Sequence, residues 1–508
     1  MLNMTPRAYQ QAIFETAKDN NTLVVLPTGL GKTLIALLLA IDRIKKYPTK
    51  KILMLAPTRP LVEQHFQTFK SNLPELFAQL EILMGATLPK KRQSLFSQAD
   101  IIFATPQTIA NDLKNNLYTL NDVSLLIVDE CHRSTGNYDY TNVVDYYKQQ
   151  SKYQRILGLT ASPGSDPKKI KEICQYLNIQ EIEVRTRESP DVKPYLKQRE
   201  FRKIEVPFPS EFLEIKMLLK SIYDKKIEQL KSRNLLFGPA NKITLLQLQN
   251  RLAARIPLRD FNAMIGMSLT AQAIKLSHAI ELLETQTLSG LNEYLENLLM
   301  QARNKKSRAV QSLVKTPEFI AALNSLKILI KNNIEHPKIE ELANILESEF
   351  IENKSAKIIV FAQFRETTLA ITRRLNSIPD IKSKIFIGQA KKANMGLSQK
   401  EQKQIIEDFK QGKINTIVAT SIGEEGLDIP EVSAVIFYEP IPSAIRKIQR
   451  AGRTARLSPG KLIILATKDT RDIAFHYAST AREKKMYKAI EILKEELEKK
   501  PKTLEDFE

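Results

Sequence analysis

The sequence predicts an α/β protein: two domains, each centred on a parallel sheet, with an all-helical domain inserted between them. Three observations carry that expectation. Short apolar runs bounded by turn residues recur in two separate stretches, from Thr22 to Ser162 and from Lys357 to Thr467. Between about 210 and 333 such runs disappear and apolar residues take helical spacing. At 508 residues with 43% hydrophobic content, the chain can fill two or three cores of ordinary domain size.

Taken in order, the first stretch reads TLVVLP, KILMLAP, ADIIFATP, VSLLIVDE and RILGLTAS, and the second KIIVFAQ, SKIFIG, NTIVAT, AVIFYEP and KLIILAT. Continuous rather than alternating apolar runs of this length read as strands buried on both faces of a parallel sheet. The middle block places Ile215, Leu218, Leu219, Ile222 and Tyr223 on one helical stripe. Ser210 before Glu211 and Thr316 before Pro317 stand where helix N-caps belong. The stretch after about Thr480 is rich in Lys and Glu and reads as a charged helix with a solvated surface. The expected boundaries are 1–205 for the first α/β domain, 206–335 for the helical domain, 336–485 for the second α/β domain and 486–508 for the charged tail.

A net charge of +19 favours a polyanionic partner, because a basic surface attracts phosphate backbones at long range; a generally lysine-rich composition would give the same figure. Cys131 and Cys174 are the only cysteines, which excludes a disulfide framework or a four-cysteine zinc site and points to a reducing, cytoplasmic setting. The apolar run from Leu34 to Ile41 is too short to span a bilayer, and no signal-peptide pattern opens the chain, so no membrane role is expected.

The strand TLVVLP runs into Thr28, Gly29, Leu30, Gly31, Lys32 and Thr33 and then into an apolar helix. A strand, a Gly-rich turn and a helix start in that order wrap backbone N–H groups around phosphates at a positive helix end. Lys32 would reach the β and γ phosphates of ATP, and Thr33 would hold Mg²⁺ through its hydroxyl. The match departs from the strict pattern, because the glycine expected five residues before Gly31 is Leu26. Asp129 and Glu130 close the strand SLLIV: Asp129 can hold the nucleotide's Mg²⁺, and Glu130 can orient and deprotonate the attacking water. The third tract, Gln449 to Arg456, spaces arginines around small residues. Arg453 and Arg456 are candidates to stabilise charge on the γ-phosphate, with Gln449 in the same tract; a basic helix face that only touches nucleic acid is the other reading.

The ordered set LPTGLGKT, APTRP, ATP, DECH, LTASP, IVFAQ, ATSIGEEGLD and QRAGRTAR resembles motifs I to VI of superfamily 2 helicases. Within that superfamily, the DECH box, the tract GQAKKANMGLSQKEQ and the run from SIGEEGLDIPEV to YEPIPSAIRKIQRAGRTAR resemble the Hef and FANCM family. The resemblance implies two RecA-like motor domains around the helical insertion. It implies that Arg7 and Gln10 in PRAYQ read adenine, that Thr160 and Ser162 link hydrolysis to domain movement, and that Gly423, Glu425 and Asp428 complete the nucleotide site, Asp428 at the ribose. Ala455 stands where motif VI usually has glycine.

A translocating motor needs phosphate contacts from both sheets, so that closure moves one grip relative to the other. Thr58, Arg59, Thr105 and Gln107 in the first domain and Gln363, Arg365, Gln389 and Thr420 in the second are the candidates. In the helical block, Arg251, Arg255 and Arg259 recur at spacings of four, and Arg303, Lys305, Lys306 and Arg308 form a second cluster; Pro257 should bend or end the first of these helices. Each cluster taken alone is also consistent with a solvated face. The resemblance to the Hef family, whose helical insertion engages branched duplex, implies forked or branched duplex DNA as substrate. The chain reaches Glu508 without the nuclease core that the family often carries, so strand cleavage is not expected of it, and a nuclease or other repair and replication proteins would be separate partners at a prokaryotic or archaeal nucleoid. Two other readings stand beside an ATP-driven DNA motor: an ATPase activated by duplex RNA, and a scaffold in which nucleotide only fixes domain orientation. The simultaneous presence of Lys32, Glu130, Arg453 and Arg456 disfavours the scaffold, which needs no hydrolytic set.

Overall fold

The structure is a computed structural model and describes residues 5–74, 77–136, 138–388, 396–420, 430–452, 454 and 459–499. The first α/β domain runs through α1 (Ala8–Asp19), β1 (Thr22–Val25), α2 (Lys32–Lys46), β2 (Lys51–Leu55), α3 (Arg59–Asn72), β3 (Leu80–Leu83) and α4 (Pro89–Gln98). It continues through β4 (Ile101–Ala104), α5 (Pro106–Lys114), β5 (Val123–Asp129), α6 (Asp139–Gln150), β6 (Ile156–Thr160), α7 (Pro167–Tyr176) and β7 (Glu181–Val184). These strands form one parallel sheet in the order β3-β4-β2-β5-β6-β1-β7. The five strands expected from their apolar runs are its centre and are almost wholly buried. The two edge strands, LEIL and EIEV, were not foreseen. Each carries glutamates and is only half-buried, so neither shows the continuous apolar run of a central strand.

Strand β8 (Arg199–Val206) follows, and then α8 (Leu213–Ser232), α9 (Lys242–Arg255), α10 (Phe261–Thr285), α11 (Leu288–Arg303), α12 (Arg308–Val314) and α13 (Pro317–Lys331), which form the all-helical domain. Its inner core joins Ile215, Leu219, Ile222, Leu283, Leu291 and Phe319. The second α/β domain comprises α14 (Lys338–Glu352), β9 (Ile358–Phe361), α15 (Arg365–Leu375), β10 (Ser383–Phe386), α16 (Gln399–Lys410), β11 (Thr416–Ala419), β12 (Ala434–Phe437), α17 (Ala444–Ala451), β13 (Gly460–Thr467) and α18 (Arg471–Glu498). Its parallel sheet has the order β10-β11-β9-β12-β13-β8.

Two elements cross between the α/β domains. β8, which chain order places at the end of the first domain, pairs with β13 along its whole length, from Arg199 opposite Gly460 to Val206 opposite Thr467. Five of its eight residues are charged, as suits an exposed edge strand. The charged tail is likewise not a solvated helix standing apart. α18 begins at Arg471, well before the expected boundary at 486, and lays Met486, Ala489, Ile490 and Leu493 into the first domain's core beside Ile170, Ile173 and Cys174. Lys and Glu dominate its composition because they cover the other faces of a 28-residue helix.

Local signals fared unevenly. Ser210 lies in a 3-10 turn, Ser210–Phe212, and α8 is capped at Phe212, so the serine does not cap that helix. Thr316 occupies the N-cap position of α13, but its hydroxyl donates to the Leu313 carbonyl instead of capping. Pro257 ends α9 as expected, in a 3-10 turn after which Arg259 is left-handed (φ 56°).

The helical domain meets the second α/β domain at a buried ammonium that an ion pair within the second domain holds in place. The Lys338 ammonium at the start of α14 lies 2.8 Å from Asp472 of α18, and neither side chain is exposed. It also donates to the Thr285 carbonyl at the end of α10 (2.6 Å) and sits over the Tyr438 ring. Thr367 of α15 donates to Gln286 (2.9 Å) beside it. Burial pushes the neighbouring Glu439 carboxyl up to about 7, against the pull of Lys338 and Arg450.

Candidate nucleotide site and nucleic-acid interface

The candidate nucleotide site lies at the carboxyl ends of β1, β5 and β6, where the crevice of an open parallel sheet forms. Gly29 and Gly31 both have positive φ (87° and 78°), and Gly31 is the left-handed N-cap of α2. Its φ strains any residue but glycine, and a Cβ there would also displace the Gln10 carboxamide, whose nitrogen would stand 2.3 Å away. Leu26, the departure from the strict pattern, is wholly buried: its side chain belongs to the sheet's core, and its carbonyl accepts from the Lys32 ammonium (3.0 Å). Its N–H donates to the Thr160 carbonyl, tying the start of the loop to β6.

Gln10 and its neighbours clamp the loop from outside. Gln10 Nε2 donates to the Leu30 carbonyl (3.1 Å), its Oε1 accepts from the Arg7 N–H, and Tyr9 donates to the same Leu30 carbonyl (2.8 Å). Arg7 donates to the Tyr9 hydroxyl and lies over the Tyr195 ring. The Arg7 and Gln10 pair assigned to adenine is therefore also a brace for the phosphate loop. Tyr9 and Tyr195 belong to that brace and were not foreseen; Tyr9 lies inside PRAYQ, but nothing in the sequence links Tyr195 to it.

Asp129 ends β5 as a buried side chain. Its carboxylate lies 2.8 Å from His65 Nε2, and the other His65 nitrogen lies 3.4 Å from the Thr33 hydroxyl. Burial alone would raise the Asp129 carboxyl, but the charge and hydrogen bond of His65, together with Lys32, hold it below its ordinary range. The Thr33 hydroxyl and the Asp129 carboxylate, joined through the two nitrogens of His65, are hard oxygen donors of the kind that suits Mg²⁺. Among the described residues no group of three or more His, Cys, Asp or Glu is placed to hold a metal ion alone, so this pair fits a cation that also takes phosphate oxygens and water. His65 came from no sequence signal; α3 brings it across.

Glu130 is held left-handed (φ 49°), and its Oε2 is buried, accepts no hydrogen bond and lies 3.3 Å from His132 Nδ1. His132 Nδ1 is 3.2 Å from the Thr160 hydroxyl, which accepts from the Ser162 N–H, and the Ser162 hydroxyl donates to the Met486 sulfur of α18 (2.9 Å). A continuous run therefore leads from the carboxylate pair through Thr160 and Ser162 to a helix that starts in the other α/β domain. Cys131 is buried, and burial pushes its thiol far up, which suits a spacer.

The second domain meets this loop through the end of α17. A Cβ on Gly452 would stand 2.6 Å from Thr28 Cβ, so the close approach depends on the missing side chain. Gly452→Val is expected to hold the two surfaces apart and to lower ATP turnover by about 10²-fold, the scale of a misplacement near 1 Å. Steady-state phosphate release checks this, and turnover within threefold of wild type would remove the contact from the site. Gln449 is buried in α17, whereas Arg450 turns into the sheet, with its guanidinium over Phe361 (4.7 Å) and Phe437 (5.8 Å). The arginines of this tract thus divide, and Arg450 anchors the helix. Arg453, Arg456, Gly423, Glu425, Asp428, Gln389 and Ala455 lie outside the described residues.

The nucleic-acid candidates stand at strand carboxyl ends, as Thr58, Thr105, Gln363 and Thr420 follow β2, β4, β9 and β11. Thr58 is the N-cap of α3, and its hydroxyl is buried without a hydrogen-bond partner. Arg59 and Thr105 line one small pocket with Gly85, and Gln107 is exposed beside them. Across the cleft Gln363 is exposed, Thr420 is buried, and Arg365 begins α15 and donates to the Gly388 carbonyl. Lys403 of α16 bridges to Glu63 of α3 (2.7 Å), joining the domains at this rim. In the helical domain the two basic clusters are exposed; Arg251 and Arg255 share one face of α9, but the rest do not continue a helical face. Arg259 lies beyond the end of α9, and Arg303, Lys305, Lys306 and Arg308 surround the turn between α11 and α12, with Lys305 left-handed (φ 51°).

Two parallel sheets that face each other across a phosphate loop, a buried carboxylate pair and a glycine-tipped helix end define a two-domain motor of the superfamily 2 helicase class. Residues 7–170 match the DEAD/DEAH box helicase family, residues 337–458 the helicase conserved C-terminal domain, and residues 211–334 the family described as putative ATP-dependent RNA helicase, helical bundle. The crystal structure of the Pyrococcus furiosus Hef helicase domain is similar at a TM-score of 0.71 and 42% identity, covering 93% of this chain and 98% of that one. The chain belongs to the Hef family of superfamily 2 helicases. Among curated relatives, a putative ATP-dependent RNA helicase of Methanocaldococcus jannaschii is 39% identical over 94% of this chain and 60% of its own length. The ATP-dependent DNA helicase mph1 of Neurospora crassa is 35% identical over 94% and 42%, and fml1 of Schizosaccharomyces pombe, also an ATP-dependent DNA helicase, is 32% identical over 94% and 59%. The chain thus spans about half the length of these relatives. No described helix is long and apolar enough to cross a membrane.

Proposed function

We propose that this chain is an ATP-dependent DNA helicase or translocase that binds and remodels forked or branched DNA. The observation that carries the reading is the meeting of three parts in one cleft: the phosphate loop, the Glu130 carboxylate and the end of α17 at Gly452. Lys32 and the N–H groups of the loop hold the phosphates, and Glu130 Oε2 takes the proton of the attacking water. Thr33 and Asp129 would hold Mg²⁺, which when bound neutralises phosphate charge. Arg453 and Arg456, which follow Gly452 in the chain, are the candidates to stabilise the departing phosphoryl group. Hydrolysis reaches α18 through His132, Thr160, Ser162 and Met486, so a change at the γ-phosphate shifts one domain against the other. Thr58, Arg59, Thr105 and Gln107 grip the backbone on one side, and Gln363, Arg365, Gln389 and Thr420 on the other.

Branched duplex is favoured because the helical domain, joined to the second α/β domain where Lys338 donates to the Thr285 carbonyl, carries exposed arginines and lysines of its own. A second reading, activation by duplex RNA, has the printed names of the helical-bundle family and of the Methanocaldococcus relative in its favour. ATP hydrolysis measured side by side with fork DNA, linear duplex DNA, single strands and duplex RNA separates the two. Fork DNA is expected to stimulate most, and stronger stimulation by RNA would overturn the DNA reading. Neutralising Arg303, Lys305, Lys306 and Arg308 together is expected to flatten the salt dependence of fork binding by about one unit of log–log slope per lost phosphate contact. An unchanged slope would return that turn to bulk solvent.

A further inference from the structure

The outer end of the helical domain exposes apolar side chains that the motor parts leave unexplained. In the turn after α9 and the first two turns of α10, Leu258 is 78% exposed, Phe261 77%, Met264 47% and Ile265 44%. Residues 261, 264 and 265 share one helical face and form a continuous patch. The patch is rigidly held. Asp260 caps α10 by accepting from the Ala263 N–H and pairs with Arg255 (2.5 Å). Asn262 exchanges hydrogen bonds with Arg233, and a Cβ on Gly266 would stand 2.4 Å from Leu235, so α10 is pressed against the loop after α8. A solvated face would not require four large apolar side chains on so well-fixed a frame.

The charge around the patch selects its occupant. Arg233, bonded to Asn262, Arg255, paired with Asp260, and Arg259 stand at the patch, with Lys231 and Arg251 close to them in sequence, and Asp260 is the single carboxylate between Leu230 and Gly266. An apolar knob ringed by cations matches the end of a base-paired segment, where the flat face of the last pair is open and phosphates of two strands lie on either side. Continuous duplex offers phosphates and groove edges but no open base face. We propose that Phe261, supported by Leu258, is a stacking wedge that seats on the base pair at the branch point, while the surrounding arginines hold the flanking phosphates. The inference rests on the branched-DNA reading and names the element that would recognise the branch.

The test uses the full chain and a fork carrying 2-aminopurine in the pair next to the branch. Binding of wild-type protein is expected to unstack that base and raise its fluorescence, while an interior 2-aminopurine in linear duplex stays unchanged. The double variant Phe261→Ala, Leu258→Ala is expected to lose the rise and about tenfold in fork affinity, as removal of a stacked aromatic does, with linear-duplex affinity and DNA-independent ATP hydrolysis within twofold. Both side chains are exposed, so folding is not at risk, and Phe261→Trp is expected to restore the signal. An equal fluorescence rise and equal fork affinity in the double variant overturn the wedge. So does a wild-type dimer in sedimentation that the double variant loses, which gives the patch to a second copy of the chain. Equal wild-type affinity for fork and linear duplex instead overturns the branched-DNA reading itself.

Discussion

Glu130→Gln is expected to lower ATP turnover by about 10²- to 10⁴-fold, the contribution typical of a positioned general base, while nucleotide and DNA binding persist. The substitution keeps the shape of a side chain that is nearly enclosed and removes only its ability to accept a proton. Oε2 makes no hydrogen bond that the amide would break, and His132, whose ion pair with Glu130 the amide removes, keeps its bond toward Thr160. Phosphate release measured beside equilibrium binding of a fluorescent ATP analogue checks the split. Turnover within threefold of wild type would strip Glu130 of its role, and lost nucleotide binding would mean that it shapes the loop instead. The contrast with Lys32 is instructive, because Lys32 belongs to the phosphate-holding loop and its removal should cost binding first.

The largest effect on stability is expected at Asp472→Ala, which leaves the Lys338 ammonium buried without its counter-charge. Removing one partner of a buried pair costs about 3–5 kcal/mol. The same operation on the exposed pair Lys403 and Glu63 is expected to cost no more than about 1 kcal/mol, since solvent screens it. Burial pushes the Asp472 carboxyl up while Lys338 pulls it back, so the pair is a compromise between desolvation and attraction. The double variant Lys338→Met, Asp472→Leu should therefore recover most of the loss. Urea unfolding of the three proteins measures the differences, and a single-variant cost below about 1 kcal/mol would show that the junction is held by packing alone.

The central strands of both sheets, the phosphate loop and the DECH carboxylates were legible in the sequence because each is local: a continuous apolar run, a glycine pair, two acids at a strand end. Edge strands β3, β7 and β8 were not, because an edge faces solvent and its sequence looks polar. The helix that covers the first domain was misread for a related reason. Met486, Ala489, Ile490 and Leu493 enter that core and Tyr487 and Leu497 pack against it, but the lysines and glutamates around them hide the stripe. At the site, His65, Tyr195 and the Ser162 contact to Met486 arise from residues far apart in the chain, and no spacing rule reaches them. The arginines between Gln449 and Arg456 look equivalent in sequence, yet Arg450 lies buried over two neighbouring phenylalanine rings.

The crossing of β8 and α18 bears on how the protein can be dissected. A fragment cut at residue 205 takes most of β8 away from β13 and leaves the second sheet with an unpaired border, a template for aggregation. The same fragment lacks Met486, Ile490 and Leu493, so the first domain's own greasy floor is laid open to water. Neither half is therefore a portable cassette: cutting between them strips each of a part that the other half encodes.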